Sequence, residues 1–211
     1  MTPHEIQELL GRIAPRGTWC SLRWVETHSE NLTVRDEMLL PPSSTSDRGA
    51  MITVVTGEGQ GIAATSDLSV GGLYQAARVA LDWAQAVSDR GVVDFSKAPR
   101  PMKSGNWNHP VTHSWDEASS ADLVDRLKSI CQSMGGDERI VQRVVSLARS
   151  KTETTLVTTD GVTIQQSHDR LIPWMQALAS DGSDVQSKSN GGRSDAQLGG
   201  LEILDQIGFD Q

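Results

Sequence analysis

The chain has 211 residues, 37% hydrophobic and 22% charged, enough apolar material for a real core and too much for a disordered chain. Lys and Arg number 19 against 27 Asp and Glu, a net charge of −8 without a basic run, which argues against direct nucleic-acid binding. No basic region precedes an apolar stretch at the N-terminus, and no apolar run approaches the roughly 18 residues of a membrane span, so the sequence predicts a soluble, cytoplasmic protein with no membrane partner.

Helix-type spacing of Ile6, Leu9, Leu10 and Ile13 predicts a first helix, stopped by Pro15 and Gly17. "TWCSLRWVE" then alternates Cys20, Leu22 and Trp24 against Ser21, Arg23 and Val25, the pattern of a half-buried strand, and "NLTVRDEM" reads as a second strand. The stretch "PPSSTSDRG" reads as a loop. "VVTGEGQGIAAT" raises the question of a phosphate-binding loop. The dinucleotide fingerprint fails because Ile62 stands where a third glycine is needed, and a Walker loop fails because Gly61 is followed by Ile62 and Ala63. A β-hairpin remains, followed by a helix capped by Ser66, Asp67 or Ser69, with Leu73, Ala77, Ala80, Leu81, Ala84 and Val87 as its buried stripe. Gly71 and Gly72 weaken its first turn.

Residues 91–118 lose all periodicity and read as an ordered connector. Ser119 and Asp122 then occupy capping-box positions before a helix with Leu123, Leu127, Ile130, Cys131 and Met134 on one face. Four β-like runs follow, "RIVQRVVSLAR", "ETTLVTTDGVTIQQ" with a bend at Asp160-Gly161, "RLIPWMQALAS" and "DVQSKS". A last helix places Leu198, Leu201, Leu204 and Ile207 inward and ends at Gly208. Helix, four strands, helix is thus written twice, as half-repeats 1–90 and 119–211 around the connector 91–118. The expected fold class is α+β, two pseudo-repeated units with a mainly antiparallel sheet.

No catalytic, cofactor-binding or metal-binding residue is assigned from the sequence. His109 and His113 are four apart, but Pro110 between them removes the helix that would set both on one face. His4-Glu5 does not complete HExxH and reads as a helix N-terminal charge pair. "GRSDA" ends in Ala196 where a nucleophile elbow needs glycine, and Ser194 or Asp195 reads as a cap for the last helix. Arg193 and Lys188 beside "NGG" read as solvated loop charges rather than an anion site. Trp19, Trp24, Trp83 and Trp174 read as core or interface residues. Cys20 and Cys131, lacking CxxC spacing, read as reduced, packed thiols.

The segment "GAMITVVTGEGQGIAATSDLSVGGLYQAARVAL", with "PMKSGNWNHPVTHSW", "TTDGVTIQQ" and "SDGSDVQSKSNGGRS", resembles the N-terminal half of the TldD/PmbA metallopeptidase family, also called modulators of DNA gyrase. The "PV" connector, "DG…Q" and "DVQSKS…GG" are closer to the TldD side. "GAMITVV", where a "GVGVRV"-like strand is usual, and the two glycines of the second helix depart from the family pattern. The resemblance implies proteolysis of unfolded peptides, with a zinc-type ion held by a His-Glu-x-x-x-His helix and a cysteine in a C-terminal domain that has no matching residues here. It implies a chain without a cofactor of its own, inactive alone, that shapes the peptide cleft. Its implied partners are the metal-bearing half, a second TldD/PmbA-like chain in a homo- or heterodimer, and the peptide substrate. The alternative is a stand-alone peptide- or partner-binding module working through an open sheet edge. A small-molecule enzyme is the weakest reading, because no acid, base and nucleophile assemble from these residues.

Overall fold

The computed structural model describes residues 1–90 and 92–210. In chain order the elements are α1 (Pro3–Ile13), β1 (Trp19–Arg35), β2 (Met38–Leu39), β3 (Ser43–Thr56), β4 (Gly59–Thr65), α2 (Val70–Val87), β5 (Gly105–Asn108), α3 (Ser120–Ser133), β6 (Ile140–Thr158), β7 (Thr163–Ser180), β8 (Val185–Gly191), β9 (Gln197–Leu198) and α4 (Glu202–Gln206). The fold is α+β. The strands follow the order β4-β3-β1-β6-β7-β5, with β2 beside β1 and β8 and β9 beside β7. The pairs β1–β2, β3–β4, β7–β8 and β7–β9 are antiparallel, whereas β5 runs parallel to β7.

Several boundaries differ from the sequence expectation. The runs "TWCSLRWVE" and "NLTVRDEM" form one 17-residue strand, because the polar stretch between them finds partners across the sheet. Thr27 Oγ1 lies 3.4 Å from Thr152 Oγ1, and Ser29 Oγ donates to Ser150 Oγ at 3.4 Å. The chain turns instead at Asp36 and Glu37, both at positive φ, where β2 begins. Most of the expected "PPSSTSDRG" loop is the start of β3. Asp160-Gly161 is a hairpin turn rather than a bend, with the Gly161 N–H donating to the Thr158 carbonyl at 3.0 Å. "ETTLVTTDGVTIQQ" is therefore divided between β6 and β7.

The chain forms two compact units, and each draws on both halves of the sequence. Unit 1 comprises Met1–Thr27, Asp47–Asn108 and Thr152–Ser167; unit 2 comprises His28–Ser46, His109–Lys151 and His168–Gln211. In unit 1, Ile6, Leu10 and Ile13 of α1, Cys20, Leu22 and Trp24 of β1, and the alanines of α2 close one core. A capping box between Thr2 and Glu5 starts α1, and Ser69 caps α2 by accepting from the Gly72 N–H at 3.1 Å. The hairpin glycines have a packing reason. Gly57 sits at φ +54° in the turn, and a Cβ on Gly59 or Gly61 would collide with the α2 backbone at Ala84 or Ala80. Gly72 backs onto Asp67 in the same way, so it is required where the sequence reading saw only a weakened turn. Within α2, Ala76 joins the buried stripe, whereas Leu81 is half-buried and Val87 is exposed.

In unit 2 the core is built from Leu32 and Val34 of β1, Leu123, Leu127, Ile130 and Cys131 of α3, and Val145, Leu147 and Leu171 of the sheet. The expected last helix is shorter than its apolar spacing suggested. Leu198 lies in β9 and is exposed, Ile207 is exposed, and Ile203, Leu204 and Phe209 enter the core instead. Ser194 and Asp195 cap no helix: they belong to a single 3-10 turn, Arg193–Asp195, that leads into β9.

Candidate functional site

On β1 one face reads Cys20, Leu22, Trp24, Glu26, His28, Glu30, Leu32, Val34. A period-2 apolar face is interrupted by three polar residues and then resumes, as the burial of its ends confirms. In unit 1 the first of these polar residues, Glu26, lines a cavity of about 380 Å³ on the sheet. Four strands and the N-terminus supply its walls: Glu26 from β1, Glu153 and Thr155 from β6, Gln165 from β7, Asn106 and Asn108 from β5, and Met1 ahead of α1. The parallel pairing of β5 with β7 sets Asn106 beside Gln165 and Asn108 beside Ser167. Extended strands fix these positions because side chains on one face recur every second residue, roughly 6.6 Å apart.

Polar capacity in this trough is largely unused. Glu26 Oε1 accepts from Trp24 Nε1 at 2.8 Å. The side chains of Asn106, Asn108, Gln165, Gln166 and Glu153 make no hydrogen bond or ion pair among the described residues. A carboxamide donates and accepts at once, so a row of them matches the alternating N–H and C=O groups of an extended peptide. The hollow beside β4 and α2 has no such character. It is lined by small residues, and the Asp67 carboxylate there already accepts from the Ser69 N–H at 3.0 Å.

Unit 2 holds a different polar group. Arg149 is only 2% exposed. Its guanidinium donates through Nη1 and Nη2 to Asp116, at 2.5 and 3.0 Å, and through Nε and Nη2 to Asp169, at 2.9 and 3.1 Å. Glu30 lies 3.5 Å from Nη1. Burial works against the charged guanidinium, but the Asp116 and Asp169 carboxylates outweigh it and hold its pKa above the ordinary arginine value. The same guanidinium holds the Asp116 carboxyl below the usual carboxylate range. Every donor face of Arg149 is occupied, so this group locks the fold and leaves nothing for a substrate.

The residues weighed in the sequence are scattered. His109 Nδ1 lies 2.9 Å from the Pro110 carbonyl oxygen, and the His113 backbone N–H donates to Glu202 at 2.9 Å. Among the described residues no three His, Cys, Asp or Glu side chains gather as a metal site. His4 pairs with Glu8 at 3.3 Å, while Glu5 belongs to the capping box, so the two do not act as one charge pair. Lys188 on β8 and Arg193 are exposed. Trp24 is buried, Trp19 and Trp174 are half-buried, and Trp83 is 60% exposed and outside the core. Cys20 and Cys131 are both buried thiols, and burial pushes Cys20 up to about 12, which makes it a poor nucleophile at neutral pH. The trough follows no motif along the chain, because its residues come from strands far apart in sequence. The available signal was the polar break in the inward register of β1, matched on β6 by Arg149, Lys151 and Glu153 between Leu147 and Val157.

Two consecutive models of one family match this chain. Residues 20–84 match the PmbA/TldA metallopeptidase domain 1, and residues 113–208 match the PmbA/TldA metallopeptidase central domain. The chain belongs to the PmbA/TldD metallopeptidase family. Solved structures share its fold. A candidate modulator of DNA gyrase from Thermotoga maritima superposes with a TM-score of 0.66 at 19% identity, over 99% of this chain and 46% of that one. A second candidate gyrase modulator, from Bacteroides thetaiotaomicron, gives 0.63 at 14% identity, over 97% and 48%. TldE from Thermococcus kodakarensis gives 0.59 at 12% identity, over 90% and 43%. No curated protein matches. The PmbA/TldD chain described here spans a little under half the length of these solved relatives.

Proposed function

We propose that this chain is the N-terminal part of a PmbA/TldD-type metallopeptidase and that its trough receives unfolded peptide for cleavage. The observation that carries this reading is the set of unpartnered carboxamides that the paired strands β5 and β7 present to the trough, in a chain of a metallopeptidase family. In this reading a metal-bearing half supplies a zinc-type ion, which activates water and polarises the scissile carbonyl. The residues of the present chain bind and align the substrate backbone, a contribution through positioning. A homo- or heterodimer with a TldD/PmbA-like chain, working in the cytoplasm, completes the assembly.

The test is a protease assay on a disordered peptide, with and without a co-expressed metal-bearing half and with and without chelator. The 211-residue chain alone is expected to leave the peptide intact, and the combined halves to give chelator-sensitive cleavage. Chelator-insensitive hydrolysis by the chain alone would overturn the proposal. A stand-alone module is the second reading, favoured by β4, which ends the strand order next to the exposed Ile62, Val79 and Trp83. Peptide binding abolished by Ile62→Asp and unaffected by changes in the trough would select it.

A further inference from the structure

We infer that the trough is selective for a peptide carrying a lysine or arginine side chain, held where Glu26 meets Glu153. This rests on the peptide-trough reading and adds the chemical class of the occupant. The hydrogen bond from the Thr159 N–H to the Cys20 carbonyl, at 2.9 Å, and the Thr27–Thr152 hydroxyl contact fix the pairing of β1 with β6 in unit 1. That register sets Glu26 directly opposite Glu153, on the face that lines the cavity. Like charges directly opposed across strands destabilise a sheet. Within unit 2 the corresponding cross-strand pair is Glu30 with Arg149, where the charges are complementary.

Among the described residues neither of the opposed carboxylates forms an ion pair. Glu26 accepts a hydrogen bond from the neutral Trp24 indole, and Glu153 has no partner among the described residues. Among the described residues no lysine or arginine lines the cavity; Met1 with its N-terminal ammonium does line it, but neither that group nor Lys151, two residues back along β6, makes an ion pair with either carboxylate. A basic side chain entering the cavity would sit between two carboxylates, while the surrounding carboxamides hold the backbone that carries it.

The test is calorimetric titration of the 211-residue chain with three nine-residue unstructured peptides that differ only at the central position: lysine, norleucine or glutamate. The lysine peptide is expected to bind about tenfold more tightly than the norleucine peptide, with glutamate weakest and the difference shrinking at high salt. In Glu153→Gln the lysine preference should fall to about threefold. Glu153 is exposed, so this variant should fold; its thermal midpoint should be equal to or above the parent's, since the opposed charge is removed. Free lysine amide should bind at least about tenfold more weakly than the lysine peptide. Equal binding of all three peptides overturns the charge selectivity and leaves the peptide-trough reading standing. A lysine preference that survives both Glu153→Gln and Glu26→Gln overturns the placement. Lysine amide binding as well as the peptide overturns the peptide as occupant. Failure of every peptide to bind overturns the trough reading and this inference with it.

Discussion

The two units solve the same packing problem with different chemistry. Unit 1 is closed by α2, whose buried face is Leu73 and four alanines, lying so near the hairpin that Gly59 and Gly61 leave no room for a Cβ. Small residues on both sides give close backbone approach and a dry, apolar contact. Unit 2 is closed by larger side chains, including Trp115, Leu127 and Phe209, and carries a buried arginine bound by two aspartates with a glutamate beside it. The first arrangement fails when volume is added; the second fails when charge is removed. Polar groups left over in unit 1 line an open trough, whereas those of unit 2 are consumed by Arg149.

The sharpest test of this contrast is Arg149→Met, which strands Asp169, a carboxylate whose side chain is 12% exposed. A loss of about 3–5 kcal/mol in urea denaturation is expected. A loss below about 1 kcal/mol would show that the ion cluster is dispensable and remove the contrast. Next comes Gly61→Ala in unit 1, where the added methyl must displace α2; about 1–3 kcal/mol should be lost. An unchanged midpoint would mean that α2 gives way without cost.

A smaller effect concerns acid. Burial penalises the Glu202 carboxylate, but hydrogen bonds from the Gly200 and His113 backbone N–H groups outweigh it and hold its pKa at about 2, below the ordinary 4.5. A carboxyl depressed in the folded state contributes stability above its unfolded pKa and loses that contribution as the pH falls through the folded one. Glu202→Gln should therefore flatten the decline in urea midpoint between pH 4.5 and about 2. A parallel curve for parent and variant would remove Glu202 from the acid response. The smallest effect has the opposite sign. Gly11 in α1 has nothing within 4 Å of a new Cβ, so Gly11→Ala should stabilise by about 0.5–1 kcal/mol. Destabilisation there would show that α1 does not tolerate a methyl on its outer face.

A different kind of sharpening concerns ancestry. Helix, four strands, helix occurs twice in chain order, and β1-β3-β4 has the same neighbour order as β6-β7-β8. We propose that residues 4–88 and 120–207 superpose as a duplicated unit. Superposition of the Cα traces of the two halves tests this, and unmatched strand directions would end it.

Local chemistry made much of the fold legible. The Ile6, Leu10, Ile13 stripe, the Ser69 and Ser119 caps and the Gly57 hairpin each depend on spacing or side-chain type within a few residues, and each is found. Strand lengths were not legible. "ETHSEN" looks like a break in isolation and becomes strand only because Thr152 and Ser150 lie opposite it, more than 100 residues away. Trp83 shows the limit from the other side: its position on α2 was clear, but its exposure depends on which face the sheet covers.

The sequence by itself determined α1, α2 and α3, the Ser69 and Ser119 caps, the hairpin turn and the family, because these follow from near neighbours and from residues in fixed order. The tertiary structure alone decided that Glu26 faces Glu153, that Asn106 stands beside Gln165, and that Arg149 is enclosed by Asp116 and Asp169. The strand pairs among these are register relations, in which a shift of one residue would turn the side chains to the opposite face, while Asp116 reaches Arg149 from a 3-10 turn that only the tertiary packing brings there.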